Sequence, residues 1–416
     1  MTKANRLLAT LLLVSVACSE AVAQDASNAS HLVEIGQADS LYSSILGEER
    51  VFWVHLPNNG HLQENHRYPV IYLLDGGVHL GGLAMVQAYY TYFRLPEMIV
   101  VGISNRMNRT RDLTTSFVES RQGAPVEASG GAETFTRFIA EELIPHIDSV
   151  YPTSSHRTLI GHSYAGLFTI NTLVHHRDLF TNYIAMDPSL DWDNQTLLHE
   201  ATRALQDERF DGKGLFVSIS NEIIRFSDTL TIDTVQRDTT DFSLSIRSML
   251  AFVHAAEANT SNGLGFAWRY YDKDIHGSVP LPSMRDGLMY LYDWWELKSP
   301  SRYNDPDTPT QDLVRLITER SEKLTANMGY PLAMEEELLT MLGYMAMQMD
   351  QSEKARAVFE LAIQFYPESA SAQEAMADYY ESQGDFANAF LHIQKALEIS
   401  DSDVYKRRAE GLRAKQ

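Results

Sequence analysis

Between residues 50 and 298, short apolar runs alternate with amphipathic stretches. Val51-Phe52-Trp53-Val54-His55-Leu56 opens the series. Val70-Ile71-Tyr72-Leu73-Leu74 and Met98-Ile99-Val100-Val101-Gly102-Ile103 follow as nearly continuous apolar, largely β-branched runs. Runs of that kind suit strands buried on both faces. Residues 157–161, 183–186, 215–220 and 266–271 supply further strands, each separated by helix-like sequence. Phe135, Phe138, Ile139, Leu143 and Ile147 recur at helical spacing and predict a helix over 131–150. The alternation predicts an α/β fold, a mainly parallel sheet covered on both sides. Such a sheet binds ligands at the carboxyl ends of its strands.

The pattern changes near Leu297. Residues 299–309 hold Pro300, Pro306 and Pro309 with few apolar residues, and read as a linker. From 310 to 416 the sequence is helical throughout and repeats itself. Ala355, Phe359, Ala362 and Pro367 recur 34 residues later as Ala389, Ile393, Ala396 and Asp401, and Leu342-Gly343 recurs as Met376-Ala377. A period of this length, with small residues where paired helices touch, resembles tetratricopeptide repeats over about 336–403. Two repeats fall short of the three or more such stacks need, so helices at 310–326 and 402–414 are expected to complete it. The repeats would serve packing, self-association or a protein partner.

At the other end, Lys3 and Arg6 precede an apolar stretch from Leu7 to Ala17, and Ala21-Val22-Ala23 offers small residues for cleavage. Residues 1–23 therefore read as an export signal, giving a periplasmic or secreted protein, with the α/β domain over 24–298. The apolar stretch is too short to span a bilayer. Cys18 raises the alternative of a lipid anchor, but Ser15 stands where a lipobox prefers a large aliphatic residue.

Composition narrows the function. The chain has 55 acidic against 34 basic residues and a formal charge of −21, which argues against nucleic acid and anionic lipid as partners. Its single cysteine rules out an intrachain disulfide or a multi-cysteine zinc site.

Gly161-His162-Ser163-Tyr164-Ala165-Gly166 fits the nucleophile elbow G-x-S-x-G, with strand residues before it and helical ones after. The glycines leave room for a strained turn that aims Ser163 at the positive end of a helix. A serine nucleophile needs a base, and this fold takes the order serine, acid, histidine. His276, in a loop after the strand 266–271, is that base; His162 is expected to point away from its serine neighbour. Glu222, after the strand 215–220, is the preferred acid. Asp187, ending the strand before it, and Asp228 are the alternatives. An oxyanion hole needs two backbone N–H groups, assigned to Tyr164 and to the glycine loop Asp75-Gly76-Gly77. No metal or organic cofactor is required.

Taken together with Tyr68-Pro69-Val70, Arg109-Thr110-Arg111-Asp112-Leu113-Thr114, Glu142-Leu143-Ile144-Pro145, Pro188-Ser189-Leu190 and His276-Gly277-Ser278, these motifs resemble the esterase D and enterochelin-esterase-like group of serine esterases, an α/β-hydrolase family, over 68–295. The resemblance implies Ser163 as nucleophile, His276 as base and an acid at or near Glu222, with Arg109, Arg111 and Trp192 near the substrate groove. Asp187 and Asp191 depart from it, standing where relatives often carry a small residue and an aromatic. Family members cleave siderophore esters, aryl esters such as feruloyl esters, and glutathione thioesters, the last disfavoured by the export signal. Arg106, Arg109 and Arg111 also form a basic island in an acidic chain: a grip on an anionic substrate, or partners for Asp112 and Glu119. The expected function is ester hydrolysis of a small molecule; the alternatives are an interaction scaffold built on the repeats and an acyltransferase on the same fold.

Overall fold

The computed structural model describes residues 35–416 apart from 58–61, 63–65, 92–93 and 122; the expected signal at 1–23, with Cys18, lies outside them. The chain divides into two units, Met1–Tyr292 and Asp293–Gln416.

Eight strands of the first unit form one sheet: β1 (Gln37–Ser43), β2 (Glu48–His55), β3 (Tyr68–Leu73), β4 (Ile99–Ile103), β7 (Thr153–His162), β8 (Asn182–Met186), β9 (Gly214–Ser220) and β10 (Gly265–Tyr271). A small hairpin, β5 (Ser120–Arg121) with β6 (Ala124–Pro125), stands apart. The sheet order is β1-β2-β4-β3-β7-β8-β9-β10, antiparallel at β1 and β2 and parallel from β4 onward. Every residue of β3, β4 and β8 is buried, which is why, Asn182 apart, their sequences read as apolar runs. β1, Gln-Ala-Asp-Ser-Leu-Tyr-Ser, is a mostly exposed edge and gives no such signal.

Around the sheet lie α1 (Gly76–Tyr90), α2 (Arg109–Leu113), α3 (Ala132–Phe138), α4 (Ile144–Val150), α5 (Tyr164–His175), α6 (Thr196–Asp207), α7 (Leu244–Ala258) and α8 (Pro280–Leu291). The helix expected over 131–150 is present as α3 and α4 joined through a π-helical turn, Ile139–Leu143. After β3 the chain moves to β4 on one side; after β7 it moves to β8 on the other. The connections therefore diverge at the carboxyl ends of β3 and β7, and an open parallel sheet forms its ligand crevice at such a divergence.

In the second unit, α9 (Ser301–Asn304) and α10 (Thr310–Met328) precede α11 (Glu336–Gln348), α12 (Ser352–Phe365), α13 (Ala370–Ser382), α14 (Phe386–Ile399) and α15 (Asp403–Arg413). Ala355, Phe359 and Ala362, like their counterparts Ala389, Ile393 and Ala396, are all buried. A Cβ on Gly343 would come within 2.3 Å of the Phe359 ring, so the repeat's small residue marks a true close approach. Residues 299–309 are no free linker: Tyr303 packs with Leu313, Ile317 and Leu339, and the Lys354 ammonium donates to the carbonyls of Asp305 (3.0 Å) and Pro306 (2.6 Å). Proline-rich sequence conceals that packing, because the apolar contact comes from one tyrosine and the polar ones from main-chain oxygens.

Candidate active site

Ser163 sits between β7 and α5 at φ 64°, ψ −116°, a conformation rarely adopted outside glycine. Neighbouring backbone holds it there. The Ser163 N–H donates to Met186 O (2.9 Å), and its carbonyl accepts from the N–H groups of Leu167 (2.9 Å) and Ser189 (3.1 Å). Glycine is required on both sides. A Cβ at 161 would come within 2.2 Å of Ala165 O, and one at 166 within 2.9 Å of Pro188 Cα. The Ser163 and Ser189 hydroxyls are 3.4 Å apart.

The β3 and β7 ends are level, Leu73 pairing with Ile160 and the Leu74 N–H donating to Ile160 O at 2.9 Å. Two helices consequently start side by side at the crevice: α1 at Gly76 and α5 at Tyr164. First-turn N–H groups of a helix have no partner within it, so Gly76, Gly77 and Tyr164 are suited to receive an anion. Gly76 is forced by packing, since a Cβ there would lie 2.4–2.5 Å from the Gly102 backbone.

The His276 ring contacts Asp187. Its Nδ1 is 2.5 Å from Asp187 Oδ2, and the same carboxylate accepts from the Ser220 N–H (2.8 Å) and hydroxyl (2.7 Å). This corrects the preference for Glu222. The Glu222 carboxylate instead accepts the main-chain N–H of His276 (2.7 Å) and pairs with Arg225 (2.8 Å), so it holds the histidine's loop rather than its ring. Asp228 is exposed farther along that loop. Asp187 reaches the ring because it turns at φ 46° at the end of β8 and buries its side chain against β9. Burial opposes its ionisation, but the hydrogen bonds from His276 and Ser220 prevail and hold its pKa below the ordinary aspartate value. Burial likewise opposes the His276 imidazolium; the hydrogen bond to Asp187 and the charges of Asp187 and Glu222 outweigh it and raise the His276 pKa above 6.5. A base must be neutral to accept a proton, so kcat/KM for ester hydrolysis should fall as pH drops through a midpoint above 6.5. A pH–rate profile whose acid limb lies below 6.5 would contradict this.

His162 lies among the histidines of the site. Its ring lies 4.4 Å from that of His276 and 5.7 Å from that of His79. Burial, then the neighbouring histidines, push its pKa down to about 3, so a neutral ring lies beside the candidate base. Among the described residues, His162, Asp187 and His276 form a group whose donor atoms fall within 4.8 Å. Asp187 and His276 are already committed to each other by a hydrogen bond, an arrangement suited to proton transfer.

Two of the three arginines of the basic island are paired. Arg109 forks onto Asp75 through Nε (3.0 Å) and Nη2 (2.9 Å). Arg111 binds Glu48 and Asp112, and Arg106 is exposed. The alternative of structural pairing therefore holds for Arg111, with Glu48 in place of Glu119. Trp192 is buried, its indole N–H directed at Ser116 and its ring edge-on to Tyr164 at 5.3 Å. Arg121, which sequence reasoning passed over, is ion-paired to Asp191 and lies over both the Tyr164 and Trp192 rings. No motif marked it, because its partners come from distant loops.

With this geometry in view, similarity to known proteins is specific. Residues 43–226 match the family described as "Putative esterase". Those residues are similar to an esterase domain. Residues 336–369 match a tetratricopeptide repeat. Over 149 residues the chain is 36% identical to the ferri-bacillibactin esterase BesA of Bacillus subtilis, covering 32% of this chain and 51% of that protein. It is 33% identical over 190 residues to the siderophore enterobactin esterase of Emericella nidulans, covering 42% and 60% respectively. The chain thus spans about half to three fifths of the length of these curated relatives. Among solved structures, the IroE-like serine hydrolase of Shewanella oneidensis superposes with TM-score 0.65 at 26% identity, covering 79% of this chain and 99% of that one. An uncharacterised protein from Capnocytophaga ochracea shares the fold, with TM-score 0.59 at 16% identity, over 91% of this chain and 99% of that one. Among the described residues, no helix is long and apolar enough to cross a membrane.

Proposed function

We propose that the protein is an exported serine ester hydrolase with Ser163 as nucleophile, His276 as base and Asp187 as acid, acting on siderophore esters. The observation that carries this reading is the 2.5 Å contact of His276 Nδ1 with buried Asp187, beside a strained Ser163 elbow. Asp187 fixes the tautomer that leaves His276 Nε2 free to take the Ser163 proton. Ser163 Oγ attacks the ester carbonyl, and the N–H groups of Tyr164 with Gly76 or Gly77 stabilise the oxyanion. His276 returns the proton to the leaving alcohol; water then repeats the sequence on the acyl-enzyme and frees the acid. The substrate class follows relatives named for bacillibactin and enterobactin esters. Export rests on the leader sequence, residues 1–23.

The test is a panel of p-nitrophenyl acetate, a catecholate trilactone and feruloyl esters, with a fluorophosphonate label and Ser163→Ala as blank. The expected result is fastest turnover of the trilactone, with the label on Ser163 by mass spectrometry. Equal hydrolysis by Ser163→Ala, or no hydrolysis at all, would refute the esterase reading; preference for feruloyl esters would overturn the substrate class alone.

A further inference from the structure

We infer that Arg109 is a positioning residue that holds the two halves of the oxyanion hole in register, an inference that rests on the serine-hydrolase reading above. One guanidinium touches both halves. On the α1 side it forks onto the Asp75 carboxylate, with Nε 3.0 Å from each oxygen and Nη2 2.9 Å from Oδ2. On the α5 side, Nη2 donates to the His162 carbonyl at 3.1 Å, and the group lies 5.3 Å from the Tyr164 ring centre. Asp75 immediately precedes Gly76 and Gly77; His162 and Tyr164 flank the nucleophile.

Asp75 forms the first corner of α1 at φ 53°, ψ 41°, a left-handed conformation that aspartate tolerates. Its N–H donates to Asn105 Oδ1 at 3.1 Å and its carbonyl accepts from the Val78 N–H at 2.9 Å, so the main chain of the corner is tied and the side chain is left to reach across to α5 through Arg109. No strand pairing extends to the glycines themselves: the last register pair between β3 and β7 is Leu73 with Ile160. Beyond it, the spacing between the α1 and α5 amides is set by what bridges them, and Arg109 bridges them. A planar fork is suited to the work because two parallel bonds fix orientation as well as distance. The carboxylate of Asp75 and the carbonyl of His162 occupy the Nε and Nη2 donors, so that edge of Arg109 serves the scaffold instead of gripping a substrate anion.

The kinetic signature follows from when the oxyanion exists. The ground-state carbonyl carries little charge, so misplaced amides weaken the transition state and leave substrate binding nearly intact. Arg109→Lys keeps the charge and loses the fork; Asp75→Asn keeps the size and the tolerance for left-handed backbone, and loses the ion pair. Each should lower kcat about 10²-fold with KM almost unchanged, the scale expected for a displaced or lost oxyanion donor. The loss should be the same for a neutral ester and for one carrying a carboxylate. Affinity for phenylboronic acid, which forms a tetrahedral anion on the serine, should fall in parallel with kcat. A loss confined to carboxylate-bearing esters and expressed in KM would make Arg109 a substrate grip and overturn the inference. Wild-type kcat in a folded Asp75→Asn chain would overturn it too, even if Arg109→Lys does not fold. These outcomes are separable from failure of the esterase reading, in which the unmodified protein itself would neither turn over esters nor label at Ser163.

Discussion

Replacing Asp187 by asparagine is expected to lower kcat about 10⁴-fold, the scale seen when a triad histidine is held in the wrong tautomer. An amide at 187 would turn an N–H toward His276 Nδ1, now 2.5 Å from a carboxylate oxygen. The imidazole would answer by protonating Nε2, the nitrogen that must take the serine proton. Glu222→Gln should cost about tenfold or less, because an amide oxygen can still accept the His276 main-chain N–H and rates change modestly when geometry is retained. The acid limb of the pH profile should separate the pair further. Removing the Asp187 charge takes away the main influence that raises the His276 pKa, whereas removing that of Glu222 takes away a smaller one. Steady-state kinetics of the two variants decide the matter, and the reverse ranking would return the acid to Glu222.

The second large effect concerns stability. Asp112→Ala should destabilise the first unit by about 3 kcal/mol, the cost of leaving a buried cation without its partner. Arg50, 5% exposed, donates to Asp112 Oδ2 at 2.7 Å, and Asp112 is 1% exposed. The guanidinium also lies over the Phe135 and Phe138 rings, so it has no route to water without disturbing α3. Glu48 (2.9 Å) and the Ser104 carbonyl (3.0 Å) remain to it, which keeps the expected cost at the lower end for such a deletion. Chemical denaturation reads the change directly. A loss below about 1 kcal/mol would mean that Glu48 alone suffices for Arg50.

How much of this was legible in the sequence depended on how local each feature is. The elbow was readable because Gly161, Ser163 and Gly166 answer to contacts within a few residues of themselves. Interior strands were readable because burial on both faces leaves no place for polar residues. β1 was missed, since an exposed edge of Gln, Asp and Ser carries no such mark. The choice between Asp187 and Glu222 was not readable, because both carboxylates follow strand ends and both bind His276, one at the ring and one at the main chain. Only the turn of Asp187 into the sheet separates them. Of the two carboxylates that Arg111 binds, the neighbour Asp112 was legible and Glu48 was not: it is 63 residues away, and nothing in the local sequence announces it.

The wiring of the elbow has a consequence for how such a domain can diverge. Ser163 is bonded to the main chain at Met186 and Ser189, and Asp187 lies between those two residues. Ser163 and Asp187 therefore hang on a single short turn, and inserting or deleting one residue there would misplace both together. That turn has no gradual route to a new length. The stretch from Asn221 to Ser243 is under a milder constraint, since its tie to His276 is made near its start, through Glu222 and the Asn221 bonds to Asp272 and Asp274. Apart from the buried Ile223, Val235 and Ser243, its remainder is exposed or half-buried, so changes of length or character between those anchors would leave the turn that carries Ser163 and Asp187 as it is.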